Sequence, residues 1–383
     1  ELRESLQRKN SGKHYWNGNS DTETLVRGFD EWGVSGTLEK CLGMFAFAVW
    51  DKLDRSLVLA RDRLGEKPIY YGWQGSGKNR SFLFASELKA IKLHPSFLGE
   101  LDRESISSFM RYGYVPGPSS IYKEIKKLLP GHFLRISLES DELIPECYWS
   151  LEEAVLSGKK TLLKDNSALV ANQLEKHLMD AIKGQMVADV PIGAFLSGGV
   201  DSSTVVALMQ AQSNKPIKTF TIGFNEKDYD EASYAKSIAN YIGTEHTEIF
   251  LTAEQAINVI PELPSLFCEP FADSSQIPTY LVSKFAKQKV SVALSGDAGD
   301  ELFGGYNRYT LTQQLWKNIS FLPRGPRSLL ASAISVISAE NWNIVGGVVN
   351  ACLSPTMRMS NFGDKMLKGA GVLSALDIED LYL

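Results

Sequence analysis

Serines, glycines and one aspartate crowd the run Asp189-Val190-Pro191-Ile192-Gly193-Ala194-Phe195-Leu196-Ser197-Gly198-Gly199-Val200-Asp201-Ser202-Ser203. Its first half is apolar and reads as a buried strand; its second half opens a helix, and a tight turn of small residues joins the two. Such a turn suits phosphate. Gly198 and Gly199 let the backbone approach a ligand closely, Ser197, Ser202 and Ser203 supply hydroxyl donors, and the helix start adds unsatisfied amides and the positive end of its dipole. A plain N-capped helix after a glycine turn would use the same residue types. The full run after an apolar strand is what favours polyphosphate. Asp201 is out of place beside an anion unless a cation joins it, and Mg2+ takes one or two carboxylates together with phosphate oxygens.

A second group of acids stands in Leu294-Ser295-Gly296-Asp297-Ala298-Gly299-Asp300-Glu301-Leu302-Phe303-Gly304-Gly305-Tyr306, again after an apolar strand. Acids on loops are commonly just solvated. In a parallel sheet, however, both loops leave strand carboxyl ends and can face one crevice, where Asp201 and Asp300 could share the metal. A third run, Gly72-Trp73-Gln74-Gly75-Ser76-Gly77-Lys78-Asn79, nearly matches the G-x-x-x-x-G-K-[ST] phosphate loop. There Asn79 replaces the hydroxyl that would bind Mg2+, and the strand-like Ser81-Phe82-Leu83-Phe84 follows in place of a helix, so it reads as a hairpin tip.

The elements that must position these loops follow from pattern. Met44 to Trp50, Ser56 to Ala60, Pro68 to Trp73 and Ser81 to Ala85 are short apolar or alternating runs separated by polar and glycine-rich breaks, which predicts antiparallel strands in a meander or sandwich layer. A last strand of this layer is expected around His132 to Ile136, after the Pro/Gly-rich Val115 to Ser120. Past a boundary near Trp149 to Lys164, strands and helices alternate: strand Val190 to Leu196, helix Ser202 to Ala211, strand Ile217 to Phe224, helix Glu231 to Ile242, strand His246 to Leu251, helix Gln276 to Lys287 and strand Val290 to Leu294. That alternation, with nearly all-apolar strands, marks a parallel sheet covered on both faces. Two domains are expected for 383 residues. We place them at 1–155 and 165–383.

Hydrophobic content of 44% and charged content of 22% are those of a globular chain, and a formal net charge of −5 argues against nucleic acid or an anionic membrane as the main partner. The four cysteines, Cys41, Cys147, Cys268 and Cys352, form no C-x-x-C pair, so zinc or redox spacing is absent and reduced cytoplasmic thiols are expected. No apolar stretch approaches a membrane span and no leader opens the chain, which is expected to be cytoplasmic. His132, His177 and His246 are expected to be packed or surface residues and not ligands, and Cys268 a small buried residue.

With these residues in view, D-V-P-I-G-A-F-L-S-G-G-V-D-S-S and L-S-G-D-A-G-D-E-L-F-G-G-Y resemble the synthetase domain of glutamine-hydrolysing asparagine synthases, within the pyrophosphatase-loop (adenine nucleotide α-hydrolase-like) ATP enzymes. The front half agrees: Leu42 to Asp51, Arg61-Asp62-Arg63-Leu64-Gly65 and Phe84-Ala85-Ser86-Glu87-Leu88-Lys89-Ala90 look like that family's α+β N-terminal-nucleophile glutaminase domain. The likeness covers nearly everything to about Tyr309. It implies an α/β synthetase domain preceded by a partial glutaminase domain, with ATP and Mg2+ as cofactors. ATP would adenylate the aspartate β-carboxylate, and ammonia from glutamine would then displace AMP. It further implies that Ser197, Gly198, Gly199, Ser202 and Ser203 hold pyrophosphate, that Phe195 and Ile222 lie against adenine, and that Ser295 and Gly296 contact AMP. Asp201 and Asp300 would bind the metal, Asp297 and Asp300 would be the catalytic acids, and Asp21 would bind the α-amino group of glutamine.

Three departures accompany the likeness. The N-terminal cysteine nucleophile of the glutaminase, with its arginine and N-G-E segment, is not in this sequence, and the internal Cys41 lacks the free α-amino group that would serve as base. Asp297 stands where the family often has glutamate. The R-x-P-F-L-D stretch and nearby lysine of full-length members do not occur, so the chain is expected to be truncated at both ends and to lack glutaminase activity. Two alternatives stay open: a related amidotransferase acting on a sugar acid or peptide carboxylate, and a non-catalytic binding module of the same fold. The acceptor, the pathway and the oligomeric state, a homodimer included, are not fixed by the sequence.

Overall fold

The computed structural model describes residues 2–9, 16–137, 142–163, 166–224, 231–352 and 361–382. Its backbone forms two compact units, Glu1–Ser295 and Gly296–Leu383.

The first unit opens with helices Leu2–Lys9 and Asp21–Leu38, the second broken at Gly33, whose φ of 69° lies in the left-handed region. Among the described residues seven strands follow: β1 (Ala46–Asp51), β2 (Ser56–Arg61), β3 (Tyr70–Gln74), β4 (Ser81–Ala85), β5 (Lys126–Lys127), β6 (His132–Ser137) and β7 (Pro145–Cys147). They make two antiparallel sheets, ordered β1-β2-β6-β7 and β4-β3-β5. β2 is buried on both faces, and the period of two shows why. Leu59 points with Leu134 and Ile136 toward Tyr71 of the second sheet and Ile69 just before it, whereas Val58, Ala60 and Phe133 point toward Leu38 of the long helix. The glycine-rich run 72–79 forms the β3–β4 hairpin tip, with Gln74 paired to Ser81 and a single 3-10 turn at Gly77–Asn79. Strand β7 and helix Asp21–Leu38 were not anticipated. The expected connection from Trp149 is helical over Leu151–Lys160, its first turn capped by Ser150 Oγ, which accepts from Glu153 N–H at 3.3 Å. Lys164, the far end of that expected boundary, lies outside the described residues, as do Glu1 and Leu383.

Four more strands, β8 (Ile192–Phe195), β9 (Lys218–Phe224), β10 (Glu245–Leu251) and β11 (Val292–Leu294), form a wholly parallel sheet ordered β10-β9-β8-β11. β8 starts later than expected because Pro191 has no N–H to give the ladder; its carbonyl instead accepts from Ser291 N–H at 2.9 Å. On one face, Ala194, Leu196 and Leu294 pack with Val206 and Met209 of helix Val200–Ala211 and with Ala235 and Ala239 of helix Glu231–Ile242. On the other, Phe220 packs with Ala286 and Val290 around helix Gln276–Ala286, its ring edge-on to Phe285 at 6.1 Å. Burying Phe220 to 1% exposure contributes about 1.5–3 kcal/mol. Gly193 makes the sheet tight there: a β-carbon would come within 2.8 Å of both Lys218 O and the Phe220 ring.

The second unit is helical among the described residues, with helices Gly299–Phe303, Asn307–Ile319, Arg324–Ser335, Ala339–Cys352, Phe362–Ser374 and Ile378–Tyr382. Gly363 lets Phe362–Ser374 lie against Ala339, where a β-carbon would meet Ala339 O at 2.0 Å. No helix among the described residues of either unit is long and apolar enough to cross a membrane.

Candidate functional site

The chain runs β8, β9, β10 in one direction across the sheet and then returns to place β11 on the opposite side of β8. The strand order therefore reverses between β8 and β11, and ligands of open α/β sheets bind in the crevice at the carboxyl ends of such a pair. The turn 197–203 leaves β8 at this point, and Ser295 follows β11 directly, one residue past the Leu294–Ala194 pairing and so level with Phe195.

The local bonding explains the turn. Leu196 is the last residue tied to the neighbouring strand: its N–H donates to Phe220 O at 2.9 Å, and its carbonyl accepts from Thr221 Oγ1. From Ser197 onward the loop bonds to itself. Ser197 N–H donates to Ser202 Oγ at 3.2 Å, the Ser197 and Ser202 hydroxyls are 2.9 Å apart, and Gly199 N–H donates to Ser197 Oγ at 3.3 Å. Ser203 Oγ donates to Gly199 O at 2.6 Å. Ser202 is 7% exposed, so its hydroxyl shapes the loop from below, while Ser197 and Gly199 face solvent.

Helix Val200–Ala211 has Gly199 at its N-cap position and no side chain capping its first amides. Those amides and the helix dipole are available to an anion. Gly198 has φ +85°, and a β-carbon there would come within 3.0 Å of Ala235 N and Tyr234 Cβ, so helix Glu231–Ile242 walls the loop on one side. This wall was not foreseen. The only trace of it in the sequence is the glycine itself, which reports a close approach without naming what approaches. Phe195 and Ile222 are half-buried at the same edge of the sheet, Ile222 two residues beyond the partner of Phe195 on β9.

The second unit holds Gly296, Asp297 and Asp300. Ala298 has φ +71° and Gly304 φ +67°, bracketing the five-residue helix Gly299–Phe303. Gly305 N–H donates to Asp300 O at 3.0 Å, and a β-carbon on Gly305 would lie 2.1 Å from Asp300 Oδ1, so the carboxylate folds over this glycine. Tyr306 hydroxyl donates to Glu301 Oε1 at 2.7 Å; that bond holds the Glu301 carboxyl below its usual range and raises the Tyr306 phenol to about 12. Glu301 is thus engaged locally. Among the described residues no three His, Cys, Asp or Glu side chains gather as a metal site.

Asp21 lies elsewhere in the first unit, exposed in the first turn of helix Asp21–Leu38, where Ser20 Oγ accepts from Thr22 N–H at 3.2 Å. Its neighbour Glu23 accepts from the amides of Asn17 and Gly18, both at 3.0 Å, and the Asn17 bond first among causes lowers the Glu23 pKa. Cys41 is buried, and burial pushes its thiol up, opposite to what a nucleophile needs. His177 is exposed, and His132 Nδ1 is 2.7 Å from Pro130 O.

Residues 173–380 match the family model described as asparagine synthase, and residues 1–149 match that of a glutamine amidotransferase domain. The chain belongs to the asparagine synthase family. Over 291 residues it is 37% identical to the putative asparagine synthetase [glutamine-hydrolyzing] 2 of Methanocaldococcus jannaschii, covering 75% of this chain and 54% of that protein. Over 337 residues it is 34% identical to asparagine synthetase [glutamine-hydrolyzing] 1 of Bacillus subtilis, covering 88% and 50%. The chain therefore spans about half the length of these asparagine synthase relatives. Among solved structures, an NH3-dependent NAD synthetase from Campylobacter jejuni aligns with 10% identity and a TM-score of 0.27, over 54% of this chain and 96% of that one, too distant to bear on the fold.

Proposed function

We propose that this chain carries the ATP-using part of an amide ligase that converts aspartate to asparagine through a β-aspartyl adenylate. The observation that carries the reading is the uncapped, glycine-bounded turn 197–203 at the point where the parallel strand order reverses. The family and the names of its relatives support the reaction class.

In this reading the first-turn amides and the Ser197, Ser202 and Ser203 hydroxyls hold the β- and γ-phosphates, with Gly198 and Gly199 admitting them to the backbone. Phe195 and Ile222 flank the adenine. Ser295 and Gly296 hold the AMP portion. Asp201 and Asp300 are assigned to Mg2+, which neutralises phosphate charge, and Asp297 to the aspartyl intermediate. An aspartate carboxylate oxygen attacks the α-phosphorus as pyrophosphate leaves; ammonia then attacks the acyl carbon, loses a proton, and AMP departs. Glutamine, held through its α-amino group at Asp21, is the source of the ammonia in the whole enzyme. The setting is cytoplasmic and the partners are small molecules, in keeping with a net charge of −5.

Isothermal titration of the chain with ATP, with and without Mg2+, tests the reading, together with aspartate-dependent exchange of radiolabelled pyrophosphate into ATP. Mg2+-dependent binding and aspartate-dependent exchange are expected. Absence of binding, or binding indifferent to Mg2+, favours a non-catalytic module; exchange with a sugar acid in place of aspartate reassigns the acceptor.

A further inference from the structure

A segment ahead of helix Gln276–Ala286 joins the antiparallel half of the first unit to its parallel sheet. Glu269 is 10% exposed at its side chain and lies on the connection leading into helix Gln276–Ala286. All the partners of its carboxylate come from the antiparallel half. Lys127 Nζ is 2.5 Å from Oε2, Ile121 N–H donates to Oε1 at 2.7 Å, and the Tyr70 hydroxyl reaches Oε2 at 3.5 Å. Lys127 Nζ also donates to Val115 O at 2.6 Å, so an acceptor of its own half holds the cation as well.

The flanking residues dock beside it. Lys89 Nζ donates to Ser265 O at 3.0 Å and Leu266 O at 3.2 Å, Cys268 packs against the cluster of Leu88, Ile91, Val115, Ile121 and Ile125, and Ala272 N–H donates to Gly113 O at 2.6 Å. Every one of these contacts crosses from one half to the other. Of them, only Glu269 is an anion, and its loss takes the charged partner from Lys127 and the acceptor from the amide of buried Ile121 at once.

We propose that Glu269 is a positioning residue, the joint through which the antiparallel half orders the segment Ser265–Asp273 and, behind it, helix Gln276–Ala286. That helix packs on Phe220 and Phe195 and leads into β11, so its order sets one flank of the crevice. The significance of the crevice rests on the proposed nucleotide function; the joint itself does not.

Hydrogen–deuterium exchange of the whole chain tests it, comparing E269A and E269Q with wild type and with L88A, a core truncation in the same cluster. In E269A, peptides covering Ile121, 265–273 and 276–286 are expected to exchange at least about tenfold faster while β2 and helix Val200–Ala211 keep wild-type rates. E269Q retains an acceptor for Ile121 N–H and is expected to fall between the two. Wild-type exchange in E269A, or acceleration spread over all peptides as in L88A, overturns the proposal. ATP titration runs alongside: a weaker Kd in E269A but not in L88A is expected. A wild-type chain that binds no ATP defeats the nucleotide reading and leaves the exchange comparison to decide the joint.

Discussion

The hydroxyl oxygens of Ser197 and Ser202 lie 2.9 Å apart, and the amide of Ser197 donates to the Ser202 hydroxyl at 3.2 Å. The buried serine therefore folds the turn and the exposed one is presented by it. S202A removes the acceptor of Ser197 N–H and is expected to cost about 1–2 kcal/mol of stability. It should also weaken ATP binding more than S203A does; urea denaturation and nucleotide titration of both variants check the order.

The two glycines of the turn are not equivalent. Gly198 combines φ +85° with contacts at 3.0 Å to helix Glu231–Ile242, whereas at Gly199 an added β-carbon meets only Ser197 Oγ at 3.4 Å. G198A is expected to lose about 1–2 kcal/mol or more from backbone strain alone and to abolish ATP binding. G199A, at an N-cap, should cost only about 1 kcal/mol or less. Equal losses in the two thermal melts would contradict the assignment.

Asp201 and Asp300 belong to different compact units. D201N and D300N are each expected to raise the Mg2+ concentration needed for half-maximal ATP binding by about tenfold, roughly one lost charge-assisted ligand. A double-mutant cycle then reads whether the two act on one ion: strong non-additivity says they do. G305A drives a methyl group into Asp300 Oδ1, and should reproduce D300N without touching the charge.

His246 gives a pH signature unconnected with catalysis. Burial is the main cause that lowers its pKa from 6.5, and Thr219 Oγ1 lies 2.9 Å from its Nδ1. Because the folded pKa is below the unfolded one, the unfolded chain takes up the proton first as pH falls. Stability tied to the neutral ring is complete above 6.5 and declines below it. H246Q should flatten that decline in urea midpoints measured across the acidic window.

The parallel sheet was legible because its strands are short apolar runs closed by turn chemistry and alternate along the chain with helical segments. Helix Asp21–Leu38 was harder: Gly28, Gly33 and Gly36 dilute its pattern, and contact with the sheet through Phe29, Val34 and Leu38 helps to stabilise it. Strand β7 has three residues and begins with proline, below what pattern can detect. In the turn, residue types were readable but their partners were not. Nothing local announces that Gly198 faces Tyr234, or that Glu269 meets Lys127. The helices after Thr310 carry few breaks and no motif, so they gave no purchase.

The bond between Ile121 N–H and Glu269 spans 148 residues of chain. Closing so long a loop costs chain entropy that grows only slowly with length, yet it brings no reward until both ends are already shaped. The contact is therefore expected to form late in folding, after each half has completed its own sheet. Such latecomers speed unfolding when cut and leave the refolding rate nearly untouched. Resistance to proteases that attack the unfolded chain is then expected to fall when this seam is cut.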